Sequence, residues 1–71
     1  RERDVQARAI LMQELEQARR QQVQLQQASK DAPTGQAPEK VLALKAAIER
    51  NQRDIDSLQR ELSRRPVAAN P

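Results

Sequence analysis

Seventy-one residues, with 13 Lys and Arg against 10 Asp and Glu for a formal net charge of +3, bound the chain to one small unit. Chains of this size rarely stabilise a core without a disulfide, a metal or a partner. The absence of Cys and His excludes disulfides, thiolate chemistry, imidazole bases and the usual zinc sites, and the absence of Phe, Trp and Tyr removes stacking platforms for single-stranded nucleic acid, interfacial anchors for a bilayer and the rings that fill globular cores.

What remains is rich in Ala, Gln, Glu, Arg and Leu, with one Gly and four Pro confined to a linker and a tail, the composition of long helices. Acids are interspersed with bases, so the field is mixed rather than a single basic sheet. No apolar run approaches the ~18 to 20 residues that cross a bilayer, so membrane insertion by this segment is not expected, and no signal-peptide core is visible. The start at Arg1 rather than Met reads as a piece of a longer polypeptide or a processed product. Cytoplasm and periplasm both stay open as its compartment.

Residues 1–30 read as one helix without Gly or Pro, with apolar side chains at Val5, Leu11, Leu15, Ala18 and Leu25 and a flanking set at Ile10, Met12 and Val23. Asp4 with Arg8 and Glu16 with Arg20 stand at the four-residue spacing that adds a few tenths of a kcal/mol on an exposed face. Gln21, Gln22, Gln24, Gln26 and Gln27 form a biased tract, read as a solvated face or as a surface that pairs side-chain amides with another chain. Residues 31–38 break the pattern, because Pro33 disfavours helix at Ala32 and Gly35 can take a positive φ in a turn. Pro38 suits the first helical position, and Glu39 suits the positive end of the helix dipole.

The second helix is expected over residues 39–65, ended by Pro66, with a disordered tail over 66–71. Glu49 with Arg53, Asp56 with Arg60 and Glu61 with Arg65 repeat the acid-before-base spacing. Val41, Leu44, Ile48, Asn51, Ile55, Leu58 and Leu62 alternate steps of three and four, the mark of a coiled-coil seam. Folding back at Gly35 sets Ser29 against Val41, Leu25 against Leu44, Gln22 against Ile48, Ala18 against Asn51, Leu15 against Ile55, Leu11 against Leu58 and Arg8 against Leu62. Every such pair sums to 69 or 70, as antiparallel partners require. Asn51 then faces the small Ala18, where its amide can reach solvent or a backbone carbonyl. Arg8 and Gln22 are poor core residues, and Glu14 flanks Asp54 as a like-charge contact.

The fold class expected is therefore all-α, a two-helix antiparallel coiled-coil hairpin. Ile10, Met12, Val23 and Leu42 lie beside the seam with no partner in the hairpin, so they are expected to mediate dimerisation into a four-helix bundle or docking onto a larger assembly. Ser29, Ser57, Ser63 and Thr34 have no base beside them, and all 10 acids read as helix surface or caps, so no catalytic residue, cofactor or metal ligand is assigned. Arg50, Arg53, Arg60 and Arg64 share one outer side of the second helix, a solvated face or a contact for nucleic acid or an acidic protein.

In architecture the expected hairpin resembles the coiled-coil hairpins of periplasmic adaptor proteins in efflux pumps, and its Gln- and Arg-rich helices are similar in texture to phage spanin ectodomains. The adaptor tip pattern of Arg, Leu, Leu and Ser, counted back from Ser29, meets Ala18 and Gln22 where Arg and the second Leu belong. No functional residue is carried over. The resemblance implies a spacer or stalk in a bacterial envelope, secretion or phage lysis complex, behind the first expectation of a non-enzymatic oligomerisation or docking module with protein partners.

Overall fold

A computed structural model describes residues 2–65. The helix stop at Pro66, the expected tail over 66–71 and Arg1 lie outside the described residues. The chain forms two helices, α1 (Glu2–Asp31) and α2 (Pro38–Arg64), packed against each other as a hairpin measuring 59 × 15 × 15 Å.

The end of α1 follows from Pro33, which biases the preceding Ala32 out of helical geometry, so the last helical residue is Asp31. The chain then turns over Pro33–Thr34–Gly35–Gln36, where the Gln36 N–H donates to the Pro33 carbonyl at 3.2 Å and Gly35 sits at φ 86°. A positive φ at the third residue is what a type II turn demands, and Gly meets it without a Cβ penalty. Ala37 precedes α2 at φ −53° and ψ 135°, and no side chain caps the helix there. Its carbonyl accepts from Lys40 and Val41 at 3.0 and 3.2 Å, and Pro38 takes the first position, where the missing N–H has no intrahelical role.

Three sets of bonds fix the antiparallel arrangement. At the open end Arg8 reaches the carbonyls of Leu62 and Arg65, in the middle Asn51 reaches the carbonyl of Ala18, and nearer the loop Gln22 reaches that of Ile48. The core between the helices is thin. Leu15 and Ile55 are its buried aliphatic side chains, at 8% and 6% exposure, each worth ~1.5 to 3 kcal/mol of burial. Leu11, Ala18, Leu25, Leu44, Ile48, Leu58 and Leu62 are half-buried, because two helices shield each other along one stripe and leave both flanks of that stripe open to water.

Candidate functional site

The inner contact holds a buried polar layer as well as apolar ones. Asn51 Nδ2 donates to the Ala18 carbonyl and to Gln22 Oε1, both at 2.8 Å. Gln22 Nε2 donates in turn to the Ile48 carbonyl at 3.3 Å and to Gln52 Oε1 at 3.4 Å. Gln22 and Asn51 are each 7% exposed, and no buried side-chain nitrogen or oxygen among the described residues lacks a partner. Gln22, a poor core residue by polarity, is therefore the acceptor that the buried Asn51 needs. Its position opposite the 48–51 turn was the available signal.

Arg8 differs from its expected ion pair with Asp4. Its Nη1 crosses to α2 and donates to the Leu62 carbonyl at 3.2 Å and the Arg65 carbonyl at 2.6 Å. The last carbonyls of a helix have no intrahelical partner and carry the negative end of its dipole, so a guanidinium there meets both needs. The Arg65 N–H closes the same turn onto the Leu62 carbonyl at 3.2 Å.

Val41 stands 42% exposed, since Ser29 opposite it is short and itself exposed and offers no apolar cover. Ile10, Met12, Val23 and Leu42 all point to solvent, with Val23 at 65% and Leu42 at 66%. Val5, grouped with the apolar stripe of α1 by its spacing, is exposed too. It lies at the open end, beside the level where α2 stops.

Among the described residues, ion pairs join Arg20 to Glu16 at 2.6 Å and Glu61 to both Arg64 and Arg65 at 2.7 and 3.0 Å. The spacings Glu49 with Arg53 and Asp56 with Arg60 give no such pair. Asp56 accepts from Gln52 at 3.1 Å instead, and Arg60 donates to Ser57 Oγ at 3.3 Å. The Arg65 hydrogen bond, and next the charge of Arg64, hold the Glu61 carboxyl below its ordinary pKa. Arg60 and Arg64 border a shallow groove together with Asp56, so the basic side of α2 is interrupted by an acid. On one flank of the hairpin Glu14 and Asp54 line a second open groove with Gln21, and on another Met12 borders a groove with Glu16 and Arg19.

Among the described residues no group of three or more His, Cys, Asp or Glu is placed to hold a metal ion, and no helix is long and apolar enough to cross a membrane. Ser57 and Ser63 are engaged locally, Ser57 by Arg60 and Ser63 by donating to the Gln59 carbonyl at 3.0 Å. No protein-family model, no curated protein and no solved structure matches the chain.

Proposed function

We propose that this chain is a non-enzymatic coiled-coil module whose task is assembly: the hairpin closes on itself through the seam of α1 and α2 and presents its outer surface to a protein partner. The observation that carries this reading is the imbalance between inside and outside. Leu15 and Ile55 are the buried aliphatic side chains, while Val5, Ile10, Met12, Val23, Val41 and Leu42 are exposed. A small helical protein with two buried aliphatic side chains and six exposed ones among its described residues gains most by covering them in an oligomer.

Light scattering across a concentration series tests the reading. The assembly module is expected to rise from the 8.1 kDa of a single chain toward twice that mass as concentration increases, with helical content rising alongside. A constant single-chain mass at full helicity would overturn it. That second outcome belongs to the spacer reading, which draws support from the 59 Å length of the rod and has no use for exposed aliphatic side chains.

A further inference from the structure

Resting on the assembly reading above, we propose that the occupant of the outer surface is a second copy of this hairpin, docked along one stripe of α1 in antiparallel orientation about a two-fold axis between residues 17 and 18. The stripe is Glu2, Val5, Ala9, Met12, Glu16, Arg19, Val23, Gln26 and Lys30. These positions alternate steps of three and four, so they run straight along the helix just as the inner contact does. They lie next to the inner positions Arg8, Leu15 and Gln22 on one side, where Met12, Glu16 and Arg19 border a single open groove. All nine are exposed, with Val5 at 55% and Met12 at 54%.

The order of charges along the stripe chooses the orientation. Its acids, Glu2 and Glu16, lie in the half toward the open end, and its bases, Arg19 and Lys30, lie in the half toward the loop. A parallel copy would set Glu16 on Glu16 and Arg19 on Arg19. An antiparallel copy pairs positions that sum to 35, so Glu16 meets Arg19, Met12 meets Val23, Ala9 meets Gln26, and Val5 meets the aliphatic stem of Lys30, each contact made twice by symmetry. The opposite flank offers no such match, because Glu14 and Asp54 line its groove together, and Ile10 falls on that side by its spacing of four and seven residues from Glu14 and Gln17. Ile10 is therefore outside the interface, unlike Met12 and Val23.

The absence of native Cys makes the orientation directly readable. A mixture of the Met12→Cys and Val23→Cys chains, oxidised mildly, is expected to cross-link 12 to 23 in preference to 12 to 12 or 23 to 23. In light scattering Met12→Glu or Val23→Glu is expected to raise the dissociation constant about tenfold or more by placing a charge in an apolar contact made twice, while Ile10→Glu leaves it unchanged. Glu16→Arg alone weakens the pair by roughly threefold, and adding Arg19→Glu restores it, with helicity by circular dichroism unchanged in both at concentrations that saturate association. Preferential 12-to-12 cross-links, an oligomer insensitive to Met12→Glu, or one broken by Ile10→Glu would overturn this inference and leave the assembly reading standing. A chain that never exceeds the single-chain mass would overturn both.

Discussion

A buried amide pair is worth little in net free energy and much in discrimination. Asn51 and Gln22 satisfy each other and two backbone carbonyls, so the layer costs little where it is, but sliding α2 along α1 would set either amide against leucine with no partner. Asn51→Ala or Gln22→Leu should each destabilise the hairpin by about 1 to 3 kcal/mol in urea unfolding, because each takes one hydrogen bond from the buried amide that remains. The combination Asn51→Leu with Gln22→Leu should cost less than either alone and lower the cooperativity of unfolding as alternative registers of the two helices open. Glu61 carries the one pH signature resolved among the described residues. A carboxyl held below its ordinary pKa adds stability above the unfolded value, and that stability is lost as pH falls through the folded value. An NMR titration should place the Glu61 midpoint below that of an ordinary glutamate, with the last turn of α2 loosening over the same acid range. Arg65→Gln should move the midpoint back up.

At the scale of the elements, the loop and the open end are held by different means. The turn depends on Gly35 at φ 86°, where a Cβ would meet nothing within 4 Å. Gly35→Ala should therefore cost about 1 kcal/mol through backbone conformation alone, with Gly35→Asn milder, measured by thermal unfolding. The open end depends on a side chain from the other helix, since Arg8 donates to the Leu62 carbonyl in the last turn of α2 and to the Arg65 carbonyl just past it. The turn was legible from residue types, Pro33 before it and Pro38 after it, because those residues restrict the chain locally. The Arg8 bond was not. Asp4 at four residues' distance offers an equally good partner on paper, and only the end of α2 arriving alongside decides between them.

At the scale of the molecule, two helices and their reversal could be read from the spacing of aliphatic residues and from pairs of positions with a constant sum. The thinness of the core was less visible. Counting a seam position as apolar says nothing about how much water reaches it, and a lone pair of helices leaves Leu11, Leu25, Leu44, Ile48, Leu58 and Leu62 half-covered. The polar layer was half legible: Asn51 announced itself as the exception in an aliphatic row and Gln22 stood opposite Ile48 as a poor core residue, but the bond that joins the two amides did not follow from pairing positions one to one.

Glu2 and Arg64 end at the same pole of the rod, just past the grip of Arg8 on the carbonyls of Leu62 and Arg65. Tension applied between those two points would peel the arms apart rung by rung instead of shearing every rung at once. The guanidinium clasp would yield first, the Leu11 and Leu15 rungs next, and the amides of Gln22 and Asn51 after them, on the way to the bend.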